Sequence, residues 1–254
     1  MAWVTKDSVE QYDHTPEPPK EYSKKEKTAN WWHYNKWKVL GAILLILLAI
    51  WIIHDVAFRT EPDYRVAYVR RSDLPIDTAE ALETALAAYG EDVNGDGQVI
   101  VELCQYNIVY GDETENVDAY SQMAGVTRLY ADLDGSDGPY VFLVEEPESF
   151  VASTGALQYL DGTLPSDDEN VPDDWHKMVY HWTDCPVLTG LDLGEYQGMT
   201  VLDDLVGNSQ DIMANLYVGR RAVYTEKDLE GFAPDIALWD KLTESAVSTV
   251  SEAE

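Results

Sequence analysis

Apolar residues follow two different rhythms along this chain. Residues 39–53, VLGAILLILLAIWII, carry no polar side chain, so a helix built from them is apolar on every face. Residues 56–58 extend the run past His54 and Asp55, and Lys36 and Lys38 can snorkel at its start, which predicts a membrane-spanning helix over 39–58. Trp31, Trp32, Tyr34 and Trp37 crowd one end and Trp51 lies near the other, where amphipathic rings favour the headgroup layer. A cleaved signal peptide has a short leading region rather than the 38 residues found here, and a buried core helix is amphipathic.

Beyond a short spacer at 54–63, the rhythm becomes that of a globular domain. YRVAYV at 64–69 reads as a buried strand, and 77–89 as a helix with Leu82, Ala85, Leu86 and Tyr89 on one face. Asp77 with Glu80 makes a capping box for it, and Gly90 suits its end. After the turn DVNGDG, a second strand is expected at 99–106. A second helix follows at 117–133, with Val126, Leu129, Tyr130 and Leu133 as its stripe, then the break DGSDGP and a third strand at 140–144. The order β-α-β-α-β predicts an α/β fold: three layers around a mainly parallel sheet with right-handed crossovers. Past residue 145 the pattern loosens. A helical stretch is expected at 146–160, an acidic loop at 166–174, strands at 177–182 and 212–218, and a last helix from Pro234 through Leu242.

Charge separates the two sides of the hydrophobic run. Residues 1–38 hold seven lysines and six acids, whereas residues 54–254 hold ten basic and 41 acidic residues, a net of −31. Lysines gathered before the span place the N-terminus in the cytoplasm and the acidic domain outside. Residues 1–30, with Pro16, Pro18, Pro19 and scattered charges, read as a largely disordered tail that reaches to residue 38. The outer part repels phosphates, which excludes nucleic acid as a partner. An oxidising exterior permits a bridge between Cys104 and Cys185, the alternative being two buried thiols.

The sharpest local motif is DVNGDGQ. Asp92, Asn94 and Asp96, with Gln98 at the next alternate position, place oxygens as in the first half of a calcium loop, and calcium is the cofactor they suggest. The position for a closing bidentate acid holds Leu103. The same residues equally suit a helix-to-strand turn that uses Asn-Gly and Asp-Gly for backbone freedom. His176, His181, Asp184 and Cys185 are of zinc-ligand type but sit among apolar and aromatic neighbours, as in a half-buried strand. Glu145, Glu146 and Glu148 follow the third strand, where open parallel sheets place ligands, and they equally suit the first turn of a helix. The pairs Arg70–Arg71 and Arg220–Arg221 can hold an anion or neutralise acidic surface. No nucleophile elbow, zinc-protease motif, phosphate-binding loop or dinucleotide fingerprint is present, so the expectation is a non-enzymatic module.

The stretch KKEKTANWWHYNKWKVLGAILLILLAIWII is similar to the head of single-span, signal-anchored proteins of Gram-positive bacteria. Across residues 64–144, the order YRVAYV, amphipathic helix, VIVELCQY, VTRLYADLDG, YVFLV resembles the first lobe of type 2 extracytoplasmic solute-binding proteins. That family has two lobes around a ligand cleft. Here 201 residues follow the hydrophobic run, which implies a single lobe with an elaborated C-terminal part and carries no binding residue across. The expectation is a cell-membrane module held by 39–58, with an outer domain over 59–254 that captures a small solute or a membrane-protein partner at the strand ends near 144–150. A structural accessory subunit and an envelope enzyme are the alternatives.

Overall fold

The computed structural model describes residues 23–57, 61–110, 119–165, 174–199 and 204–251. The expected tail at 1–22, the end of the predicted span at 58 and most of the acidic loop at 166–174 lie outside them. The chain divides into two units, Met1–Thr60 and Glu61–Glu254.

The first unit is one helix, α1 (Lys24–Ala57), of 34 residues and therefore about 51 Å long. Its 30-residue portion Lys24–Ile53 is long and apolar enough to cross a membrane. The helix starts well before residue 39, so residues 24–38 of the expected tail are helical. The reason is local. Ser23 Oγ accepts a hydrogen bond from the Glu26 backbone N–H, and Glu26 Oε2 accepts one from the Ser23 N–H, a reciprocal cap. No glycine or proline then interrupts the chain until Gly41.

The second unit opens with β1 (Tyr64–Arg70), α2 (Ile76–Ala87), β2 (Val101–Asn107), α3 (Ala119–Asp134) and β3 (Val141–Val144), the order expected from the sequence. It continues with α4 (Pro147–Thr154), β4 (Val179–His181), α5 (Pro186–Thr189), β5 (Glu195–Met199), β6 (Asp204–Asn208), α6 (Ser209–Met213), β7 (Tyr217–Arg220), α7 (Glu226–Gly231) and α8 (Ala233–Leu242). Among the described residues five strands form the main sheet in the order β2-β1-β3-β7-β4, and β5 pairs with β6 in a separate hairpin. β1 pairs in parallel with β2 and β3, while β7 runs antiparallel to both β3 and β4. Four strands thus point one way and β7 the other, a mixed but mostly parallel sheet.

Alternation along β1 sorts the core into two layers. Tyr64, Val66 and Tyr68 face one side with Leu82 and Leu86 of α2, Met213 of α6 and Leu238, Trp239 and Leu242 of α8. Ala67 and Val69 face the other with Tyr106, Phe142, Leu129 of α3 and Phe150 and Val151 of α4. Helices therefore cover both faces, as a parallel sheet requires.

Several expectations need correction in detail. The Asp77–Glu80 capping box does not form: Pro75 occupies the N-cap with φ −51° and ψ 140°, and α2 starts one residue earlier. Its buried face is Thr78, Leu82 and Leu86, with the Thr78 hydroxyl 2.9 Å from that of Ser209. On α3, Tyr130 stays exposed and its hydroxyl donates to Ser153 O at 2.7 Å, which leaves Leu129 as the fully buried member of the predicted stripe. The helix expected over 146–160 stops at Thr154 because Gly155 turns left-handed with φ 58°, and Leu157 then bridges to Arg221. The strand expected at 212–218 begins instead as α6, capped by Asn208, and its extended part is displaced to β7.

Candidate functional site

The parallel strands end together, and their carboxyl ends frame a crevice of about 470 Å³ lined by Arg70, Arg71, Ser72, Val109, Tyr110, Glu145 and Glu146. Each residue is placed by a strand end. Arg70 is the last residue of β1, Glu145 and Glu146 follow β3, and Val109 and Tyr110 follow β2. Arg70 Nε lies 2.8 Å from Glu145 Oε1, and both side chains are half-buried, at 23% and 32% exposure. The Tyr68 hydroxyl, beneath them, is buried without a hydrogen-bond partner of good geometry. Burial pushes its phenol above the ordinary value, and Arg70 partly offsets this. Burial likewise pushes Tyr110 up to about 12, so both phenols stay neutral at physiological pH. The crevice thus sets two guanidiniums against two carboxylates, with neutral phenol and hydroxyl groups beside them. That is a polar, charge-balanced lining within a domain that is otherwise strongly acidic. Glu148 lies apart, exposed in the first turn of α4.

A second crevice, of about 320 Å³, opens at the opposite end of the sheet between the C-termini of α3 and α4. Arg221 forms part of its wall. Its guanidinium donates to the carbonyls of Asp132, Leu133 and Gly135 and lies 5.0 Å over the Phe232 ring. Burial lowers its pKa, yet the free carbonyls of a helix C-terminus are fitting acceptors for a cation. Gly138 makes this contact possible, since a Cβ there would come within 1.8 Å of Asp132 O and 2.7 Å of Arg221 Nη1. Arg220 is used in the same way, donating to Tyr159 O and Leu160 O. The Arg220–Arg221 pair therefore binds backbone carbonyls.

The turn DVNGDGQ is exposed and closes on its own hydrogen bonds. Asp92 accepts from the N–H groups of Gly95 and Gly97, Asn94 Oδ1 from Asp96, and Asp96 Oδ1 from Gln98. Asp63, which sequence reasoning passed over, anchors the whole turn by accepting from the N–H groups of Val93, Asn94 and Ile100. These bonds hold its carboxyl below the ordinary aspartate value against a desolvation that raises it. Leu103 is buried, and Glu102 is paired with Arg65 at 3.0 Å. Among the described residues no group of three or more His, Cys, Asp or Glu side chains is gathered as a metal ion needs.

The four ligand-type residues near 180 are engaged in other contacts, with the His181 backbone N–H donating to Asp184 Oδ2. Asp184 accepts from the Thr249 N–H and hydroxyl, pinning the C-terminal segment beside β4. Cys185 is fully buried, its thiol pushed up to about 12, and His181 Nδ1 lies 2.5 Å from Thr183 Oγ1. Cys104 and Cys185 are free and lie in different core layers. One further acid was not singled out from sequence. Asp235, in the first turn of α8, is pushed up to about 7 by burial, with the Tyr64 and Tyr140 phenols within its electrostatic reach.

Compared with known protein families, with curated proteins and with solved structures, the chain matches none.

Proposed function

We propose that this chain is a membrane-anchored, non-enzymatic binding module, with its N-terminus in the cytoplasm and its acidic domain outside, that takes a small polar solute in the crevice at the strand carboxyl ends. The observation that carries this reading is the crevice itself. It occupies the position where open parallel sheets bind ligands, and seven residues from three strand ends converge on it. The anchor reading is supported by the length and apolar composition of α1, and the orientation by the lysines that precede the apolar run. The test is thermal unfolding of the full chain in nonionic detergent against a panel of small neutral, zwitterionic and charged solutes. A binding solute raises the midpoint, and Arg71→Ala removes the rise. A panel that moves nothing at millimolar concentration overturns the solute reading.

Four large rings, Trp31, Trp32, Tyr34 and Trp37, lie exposed on α1 and favour a second reading, an accessory subunit that contacts a membrane-protein partner through this helix. Deleting the ectodomain while keeping α1 separates the two, because the accessory role survives the deletion and solute binding does not.

A further inference from the structure

The turn between α2 and β2 gathers, around one peptide bond, the groups that convert an amide into an acid. Asn94 and Gly95 sit in its exposed part, Gly95 has a φ of +78°, and a Cβ built there would meet no atom within 4 Å. The Gly95 N–H donates to Asp92 Oδ1 at 2.6 Å, a distance at which a carboxylate can take the proton as the nitrogen attacks. Asn94 Oδ1 accepts from the Asp96 N–H at 2.9 Å, so a donor already stands where negative charge develops when the side-chain carbonyl is attacked. Asn94 Nδ2 donates to Glu61 O at 2.9 Å and Asp63 accepts from the Asn94 N–H, so the side chain and backbone of Asn94 are both held against residues 61–63.

We propose that Asn94 is a site of self-catalysed covalent modification, with the Gly95 amide nitrogen as nucleophile, Asp92 as general base and the Asp96 N–H as oxyanion donor. The Gly95 nitrogen gives its proton to Asp92 and forms a bond to Asn94 Cγ. The tetrahedral intermediate then collapses, the Cγ–Nδ2 bond breaks, and Nδ2 leaves as ammonia with the proton returned from Asp92. Water opens the resulting succinimide, at Cγ to give an aspartyl residue or at the backbone carbonyl to give an isoaspartyl residue. The balance is one water consumed and one ammonia released, with no change of oxidation state. Asp96 and Gly97 repeat the geometry, with the Gly97 N–H 2.9 Å from Asp92 Oδ2, but an ionised carboxylate is a poor electrophile and has no amine to lose. Within this turn the modification therefore falls on Asn94. Its product adds a negative charge beside Asp63, Asp92 and Asp96 and removes the bond to Glu61, which weakens the turn.

The test incubates the full chain in nonionic detergent and heavy-oxygen water, in mildly alkaline buffer, and follows each residue by peptide mapping with mass spectrometry. Asn94 is expected to take up one heavy oxygen, to give a mixture of aspartyl and isoaspartyl products, and to convert about tenfold faster in the folded chain than in urea. Asp92→Asn removes most of that advantage, and Asn94→Gln abolishes the modification. Conversion that is slower in the folded chain than in urea overturns the proposal without recourse to any variant. So does an Asp92→Asn chain that melts like the wild type and converts as fast.

Discussion

Replacing Asp235 by asparagine should stabilise the protein, and only where the wild-type carboxyl is forced to ionise. The group is half-buried near the start of α8, and that burial raises its pKa from 3.8 to about 7. For an acid raised in the folded state, the folded chain keeps a proton that the unfolded chain has already lost. Stability is therefore full below the unfolded value, falls as pH rises from about 4 to about 7, and is level above that. A rise of this size sets a ceiling of about 4 kcal/mol. Asp235 keeps part of its surface in water, so about 2 kcal/mol is the figure to expect. In a domain of this size that amounts to roughly 4–8 °C in midpoint. Calorimetry of wild type and Asp235→Asn across the range from mildly acidic to mildly alkaline pH measures it. The variant's advantage should be small at the acidic end and reach its maximum near neutrality. Comparing two chains at each pH cancels the many other acids that titrate in both. An advantage that does not change with pH, or a variant less stable than wild type above neutrality, refutes the reasoning.

Three other substitutions probe the framework. Asp63→Ala leaves the N–H groups of Val93, Asn94 and Ile100 without their acceptor and should cost about 2 kcal/mol in denaturant unfolding, with the loss concentrated in faster amide exchange between α2 and β2. Arg221→Met keeps much of the side-chain volume but strips three carbonyls at the end of α3 of their donor, and should cost about 2 kcal/mol, whereas Arg221→Lys should recover little because an ammonium cannot span all three. Asp184→Ala frees Thr249 and should open the C-terminal segment to carboxypeptidase while leaving the melting midpoint within about 1 kcal/mol of wild type.

Regular periodicity was the part of the fold legible in the sequence. From β1 to α3 each element is at least seven residues long, enough for its apolar period to be read, and the layers follow from the alternation of Tyr64, Val66 and Tyr68 against Ala67 and Val69. From β3 on, the elements run from three to ten residues; β3 was legible as an unbroken apolar run and α8 from Pro234 and the apolar residues after it, while side chains decide the limits of the rest. Asn208 caps α6 where extended chain was expected, and Gly155 ends α4. The antiparallel insertion of β7 between β3 and β4 depends on contacts more than seventy residues apart in sequence. The site was legible to the same degree. The carboxyl-end position of Glu145 and Glu146 follows from strand order alone, while their meeting with Arg70 and Arg71 requires knowing that β1 lies next to β3. Asp63 and Asp235 carry no local signal, since an anchor for distant N–H groups and a buried helical acid look like any other aspartate in an acidic chain.

The excess of acid gives the few cations of the second unit a particular distribution. Arg65 pairs with Glu102 and Asp137, Arg128 with Asp132, Lys177 with Asp174 and Lys241 with Glu91, while Arg220 and Arg221 are turned onto backbone carbonyls. Exposed pairs of this kind contribute about 0–1 kcal/mol each, so their larger effect is on where positive charge stands. Arg70 and Arg71 bring two of the cations to the mouth of a crevice that Glu145 and Glu146 balance, inside a long-range field set by a net charge near −31. Such a field acts on the approach of a ligand more than on its final contacts, and salt screens it over about 8–10 Å. An anionic solute must approach against the field, so added salt speeds its association. A cationic solute is drawn in, and salt slows it. A neutral or zwitterionic solute is steered by neither, and its association rate is indifferent to salt. The charge-balanced lining favours this last class, because a zwitterion can meet a guanidinium and a carboxylate together whereas a single charge leaves one of them opposed. Stopped-flow association at low and at physiological ionic strength therefore sorts candidate solutes by charge, and a strongly salt-dependent rate for the tightest binder would show that the field, and not the crevice, selects the ligand.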